Sequence, residues 1–344
     1  MTQVTSSPEQ AQAGGAKKPL HVAPGPHLFD RSLTTRRMMI DVLIGLAPVV
    51  LWSLYNFQMY AAGTLVLCVG SCVAAEWLFM KMRGRKPQLG DFSAVVTGVI
   101  LAMSLPAVAG ASGWYVSVLG GFVAIGLGKV IFGSLGQNIF NPAMVGRAFV
   151  VLAFTGLLGA STGGYVQPDA SVDVVTRATP LTVLKAESAG LEAPDPVDMT
   201  VGTINGSLGE VNAIACLLGG LYLLIRRTAS WQIPVGIIAT VVVVAGFAQL
   251  IGGLGQATVY DHVAGGAMLF GAFFIATDPV SSPLTHRGKW IFGIGVGLLI
   301  MLIRLLSSYP EGVMFSVLLM NAVVPLINRW TIPKPVGGPV PVRK

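Results

Sequence analysis

Charged residues are scarce in this sequence. Asp, Glu, Lys and Arg together make up 11% of its 344 residues, against about 25% in a typical soluble domain. Cysteine is scarce too. Cys68, Cys72 and Cys216 all lie in apolar runs and none lies in the long polar stretch 161–210, so no disulfide framework is indicated. His21, His27, His262 and His286 have no metal-site spacing. There is no glycine fingerprint for a dinucleotide and no Walker loop, so binding of NADH or ATP by this chain is not expected. No basic stripe with interleaved aromatics appears, which sets nucleic acid aside. No apolar core follows Met1 directly, so residues 1–37 read as a polar tail and not as a cleavable signal.

What is abundant is apolar length. Hydrophobic residues make up 53% of the chain and the mean hydropathy is +0.72. The 43 glycines suit closely packed membrane helices. Apolar runs fall near 38–57, 61–80, 92–109, 115–133, 143–160, 211–226, 232–252, 262–277, 289–306 and 311–328. A span needs roughly 20 apolar residues, so several of these runs are short enough to be broken or only partly spanning. The fold class expected is an all-α polytopic membrane protein of about ten transmembrane helices.

Charge position then sets orientation. Lys17, Lys18, Arg31, Arg36 and Arg37 precede the first run; Lys81, Arg83, Arg85 and Lys86 follow the second. Arg226 and Arg227 follow the sixth, Arg287 and Lys289 stand between the eighth and ninth, and Arg329 and Lys334 follow the tenth. By the positive-inside rule, both termini are cytoplasmic. The chain then divides into a cytoplasmic tail 1–37, five spans in 38–160, a periplasmic loop 161–210, five spans in 211–328 and a cytoplasmic tail 329–344. Five spans per half makes the halves run in opposite directions. Asp91 and Pro106 bracket the third span, and Asp261 and Pro279 bracket the eighth, as an inverted repeat would have it.

Three segments carry candidate chemistry. The loop 161–210 holds Asp169, Asp173, Glu187, Glu192, Asp195, Asp198 and Glu210 against Arg177 and Lys185, and it is too long for an ordinary connector. Within it, Asp173-Val-Val-Thr176-Arg177-Ala178-Thr179-Pro180 places a hydroxyl beside a small residue and before a proline that favours extended backbone. The second segment, Gly133-Ser-Leu-Gly136-Gln-Asn138-Ile-Phe-Asn141-Pro142, offers two amides and a glycine-rich backbone at a membrane edge. Asn138 and Asn141 there either cap the fifth helix, with Pro142 at its first position, or bond a flat heterocycle. The third is Thr277-Asp278-Pro279, where Asp278 ends an apolar span. An acidic group there marks function by default, or a turn, or a pair with Arg287 or Lys289. Asp41, Glu76, Lys129 and Arg147 also lie within or at the ends of apolar runs. Arg147 faces a ring, meets a buried carboxylate or snorkels to the headgroups. Cys68 and Cys72, four apart, either share an iron–sulfur cluster with another chain or pack as small hydrophobes.

The Asp173–Thr179 segment resembles the pattern recognised by flavin transferases, in which FMN is joined through its phosphate to the last hydroxyl. Asp173, Thr176, Ala178 and Thr179 match it, while Arg177 stands where glycine is commoner; a guanidinium there can pair with the phosphate. From Pro26-His27-Leu28 to the tenth span, the chain resembles the NqrB/RnfD family of membrane proteins. RnfD belongs to the Rnf electron transport complex, and NqrB to the sodium-pumping NADH:quinone reductase. Pro180 after Thr179 fits the Rnf side better.

That resemblance implies a component of a bacterial inner-membrane oxidoreductase complex that couples electron transfer between ferredoxin and NAD to Na⁺ or H⁺ movement. It implies covalent FMN on Thr179, a flavin transferase for maturation, other Rnf-type subunits as partners, and a second, non-covalent flavin (riboflavin or FMN) at Asn138 and Asn141. Asp278 and Arg147 are candidates for an ion path. The rival expectations are a quinone-reductase component with a quinone pocket, or a permease with no redox role.

Overall fold

A computed structural model describes residues 34–85, 87, 89–106, 113–133, 135–158, 200–201, 206–210, 212–252, 254, 257–265, 267–307 and 312–333. Helix α1, Thr35–Met82, is 48 residues long, roughly 72 Å if straight and more than twice a bilayer core of about 30 Å. It is not straight. Gln58 leaves helical geometry at φ 44°, ψ −121°. Met39 on the first arm lines a cavity together with Lys129, which bonds Glu76 on the second arm. Both outer ends of α1 therefore meet at one end of the molecule, and the arms form an antiparallel pair. The sequence reading of separate runs 38–57 and 61–80 corresponds to these arms.

The first half continues with α2 (Ser93–Ser104), α3 (Trp114–Ile125) and α4 (Pro142–Ala153). The second half holds α5 (Ala213–Ile225), α6 (Gln232–Leu250), α7 (Val259–Ala264), α8 (Met268–Phe270), α9 (His286–Leu306) and α10 (Val313–Thr331). Among the described residues, α1, α6, α9 and α10 are long and apolar enough to cross a membrane. Four shorter apolar helices, α2 to α5, join them. The chain is thus an all-α polytopic membrane protein, and the halves differ from plain bundles through two broken segments.

The first of these, α2, starts on Asp91, whose Oδ1 accepts from Ser93 N at 2.9 Å and Ser93 Oγ at 2.7 Å. It stops at Ser104, ahead of Pro106, with Leu105 already extended. The carbonyls freed by that stop are taken by the segment leading into α5. Leu208 N donates to Leu105 O at 3.1 Å and Gly209 N to Met103 O at 2.6 Å. Backbone that leaves the helix within a membrane needs such internal partners.

The second broken segment is α7 and α8 with the wide turn Gly271–Ile275. It opens with a capping box between Thr258 and Asp261 and breaks between Ala264 and Met268. Arg304, 1% exposed, fills the break, donating to His262 O at 2.5 Å and Gly265 O at 3.0 Å. In the first half Lys129 reaches a side chain instead, Ser93 Oγ at the start of α2. Ser93 lines the cavity at the start of α2, whereas Phe274 and Asp278 line it at the end of the second segment. The two broken segments therefore run in opposite senses, as the Asp91/Pro106 and Asp261/Pro279 echo leads one to expect.

Close backbone packing holds the halves together. A Cβ on Gly219 of α5 would stand 1.9 Å from Gly45 O of α1. Beside this contact, Asp41 accepts from Tyr222 Oη at 3.2 Å, Arg226 Nη2 at 3.3 Å and Thr228 Oγ1 at 3.3 Å.

Candidate functional site

The site grows from two wide helical turns that face one cavity. After Ile125, α3 opens into a π turn, Gly126–Val130, with Ile131 N bonding back to Gly126 O at 3.1 Å. Glycine is required at 128, because a Cβ there would sit 2.7 Å from Pro142 Cα. The turn carries Lys129 inward, and its Nζ lies 2.7 Å from Glu76 Oε1 and 2.6 Å from Ser93 Oγ. The second wide turn, Gly271–Ile275, closes with Ala276 N on Gly271 O at 2.8 Å. Such turns inside helices recur at functional sites.

The connection from α3 to α4 reverses direction at Gly133 (φ 127°) and Gly136 (φ 89°), a conformation that suits residues without a Cβ. Asn141 then caps α4. Its Oδ1 accepts from Ala143 N at 3.0 Å and Met144 N at 3.4 Å, and Pro142 occupies the first helical position. Its Nδ2 donates to Ile275 O at 3.2 Å, tying the first half to the second wide turn. Asn138 does not cap. Its Nδ2 donates to Phe140 O at 3.0 Å, and its Oδ1 is buried with no partner.

Asn138 and Asn141 line the same cavity. Its empty space, counted to and including the open mouth, is about 760 Å³. Met39, Ile100, Leu223 and Phe274 give it apolar walls, and Lys129 and Asp278 add charge. Asp278 lies in the turn beyond its span. Its Oδ1 accepts from Val280 N at 3.1 Å and its Oδ2 from Ser281 Oγ at 2.9 Å. Burial pushes its carboxyl above the usual range, against the opposing pull of those two hydrogen bonds. No ion pair joins it to Arg287 or Lys289 among the described residues; Lys289 donates instead to Ser230 Oγ at 2.6 Å.

Arg147 is elsewhere. It is buried on α4, with Nη2 at 3.2 Å from Glu210 Oε1 and 3.4 Å from Ser207 Oγ. Of the three partners open to it from sequence, the buried carboxylate is the one observed. Arg147 and Asp278 are thus not brought together. Cys68 Sγ and Cys72 Sγ approach Ser117 O and Gly121 O of α3, at 3.9 and 3.8 Å. Asp173, Thr176, Arg177, Ala178 and Thr179 lie outside the described residues. Sequence reasoning passed over Ser93 and did not single out Lys129 for this site. The available signal was a lysine within an apolar run and next to Gly126 and Gly128.

The lining of this cavity sets apolar walls beside a polar edge at Asn138 and Lys129. The buried, unpartnered Asn138 Oδ1 needs a donor, and a ring N–H supplies one. The apolar walls suit the ring's body. The residues therefore fit an isoalloxazine, the ring system of flavins.

Comparison with known proteins covers almost the whole chain. The model of the NQR2, RnfD, RnfE family matches residues 21–337. The D subunit of the Na(+)-translocating ferredoxin:NAD(+) oxidoreductase complex of Acetobacterium woodii is 41% identical over 314 residues, which is 91% of this chain and 93% of that protein. The D subunit of the proton-translocating ferredoxin:NAD(+) oxidoreductase complex of Clostridium ljungdahlii is 37% identical over 335 residues, 95% of this chain and 99% of that one. The D subunit of the ion-translocating oxidoreductase complex of Actinobacillus succinogenes is 36% identical over 347 residues, 91% of this chain and 96% of its own.

Proposed function

The chain belongs to the NQR2, RnfD, RnfE family, and on that footing we propose that it is the D subunit of an Rnf-type ion-translocating ferredoxin:NAD oxidoreductase complex in the bacterial inner membrane. The observation that carries this reading is likeness to three D subunits over 91–95% of the chain. Those names favour the Rnf side over a quinone-reducing pump. The redox steps belong to flavins; this chain holds and positions them.

One flavin is FMN, joined by a phosphoester to Thr179 by a flavin transferase. The match of Asp173, Thr176, Ala178 and Thr179 to the transferase pattern supports this. A permease has no need of such a tether. The second flavin is non-covalent and occupies the cavity at Asn138. The orphaned Asn138 Oδ1 and the apolar walls support that assignment. Asn141 serves the site indirectly, by fixing α4 against Ile275.

We read the cavity end as cytoplasmic, because Lys81, Arg83, Arg85, Arg226 and Arg227 follow the helices that end there. The loop 161–210 is then periplasmic and both termini are cytoplasmic. An electron path with stations on both faces of the membrane would find a flavin of this chain on each.

Deleting the chain and assaying membranes tests the reading. Ferredoxin-dependent NAD reduction should be lost and restored by the plasmid-borne chain. Full activity in membranes without it would overturn the assignment.

A further inference from the structure

We propose that Lys129 contacts the flavin in the Asn138 cavity, presenting its ammonium to the polar edge of the ring and so raising the ring's affinity for electrons. The inference rests on the reading of that cavity as a flavin site.

Four observations carry it. Among the described residues, Lys129 is the cation that lines the cavity. Arg147 is turned to Glu210, and Arg226 to Asp41. Lys129 is 1% exposed, so its charge acts through a medium that screens far less than water. The π turn Gly126–Val130 brings it there, at the expense of regular helix, and a second π turn supplies the opposite wall at Phe274. Finally, two of its three N–H donors go to Glu76 and Ser93, so one donor is left over from these two bonds.

The chemistry matches. The pyrimidine edge of a flavin alternates acceptors with one N–H donor. With a flavin bound, Asn138 Oδ1 would accept from that N–H, and Lys129 would donate to an acceptor on the same edge. Electron density gathers on that edge when a flavin is reduced, and a fixed cation there lowers the energy of the reduced form. Glu76 holds Lys129 in place and offsets part of its field. Neutralising Glu76 and neutralising the whole pair should therefore move the flavin midpoint in opposite directions, whereas a pair that only held the fold would move it in neither.

The test uses the assembled complex. Non-covalent flavin is counted after acid extraction, and its midpoint potential is separated from that of the Thr179-linked flavin by titrating wild type and a Thr179→Ala background. In the Glu76→Gln/Lys129→Gln double variant, which leaves no lone buried charge, extractable flavin is counted first and the midpoint is read on the flavin retained. Its reduced-to-oxidised ratio should fall about tenfold, a downward shift of ~59 mV if the couple transfers one electron. Lys129→Arg should recover most of that loss. Glu76→Gln alone should move the midpoint upward, and this variant decides the matter if the double variant fails to insert. An unchanged midpoint in Glu76→Gln, or in a fully occupied double variant, overturns the inference and leaves the flavin site standing. Absence of extractable flavin from the wild type overturns the site itself, and the inference with it.

Discussion

Arg147 Nη2 lies 3.2 Å from Glu210 Oε1, and both side chains are almost wholly buried, at 7% and 4% exposure. The pair joins α4 to the residues just ahead of α5, across the whole of loop 161–210. With Leu208 and Gly209 bonded to the end of α2, it fixes the far root of that loop in the helical body. A buried charge left without its partner is strongly destabilising, by about 3–5 kcal/mol, whereas removing both partners is close to neutral. Arg147→Ala should therefore sharply reduce the yield and thermal stability of folded protein in detergent, and Arg147→Met with Glu210→Gln should recover most of it. Equal behaviour of the single and double variants would show that the pair contributes nothing.

Helix contact makes a second, sharper prediction. A Cβ on Gly219 meets Gly45 O at 1.9 Å, while one on Gly246 of α6 meets nothing within 4 Å. Gly219→Ala should push α5 from α1 and lower the melting temperature of the purified protein. Gly246→Ala should leave it unchanged or slightly raise it, since alanine favours helix over glycine by up to about 1 kcal/mol. A comparable drop for both variants would contradict the packing described.

The two asparagines should separate by phenotype. Asn141→Ala removes a cap, at about 1 kcal/mol, and strips Ile275 O of its donor, so abundance should fall. Asn138→Ala removes the orphaned acceptor and should leave abundance intact while extractable flavin declines. If Asn138→Ala keeps a full complement of extractable flavin, the non-covalent flavin lies elsewhere.

Orientation is checked with reporters. Fusions at residues 85 and 228 should read as cytoplasmic and one at 190 as periplasmic. A common side for 85 and 190 would break the ten-span scheme.

Much of this architecture was legible in the apolar runs, and the reasons differ by element. The reversal at Gln58 follows from two adjacent runs that no bilayer accommodates as one helix. Asn141 as a cap follows from Asn followed by Pro142. The opposed broken segments were visible as Asp and Pro at matching ends. The partner of Arg147 was not legible, because Glu210 reads as one more acid in a polar loop until the fold packs it against α4. Lys129 was hidden for a different reason. A π turn shifts the helical register by one residue, so regular periodicity does not say which way that side chain faces.

The central claim is that this chain carries flavin covalently at Thr179. The most direct measurement is flavin fluorescence at the band of the purified, denatured chain on a gel, for wild type and Thr179→Ala. A phosphoester needs a hydroxyl, which alanine lacks. The wild-type band should fluoresce and the alanine band should be dark at equal protein load, with Thr179→Ser retaining part of the signal. Fluorescence that persists at the alanine band, or that is missing from the wild type matured with its flavin transferase, would contradict the account.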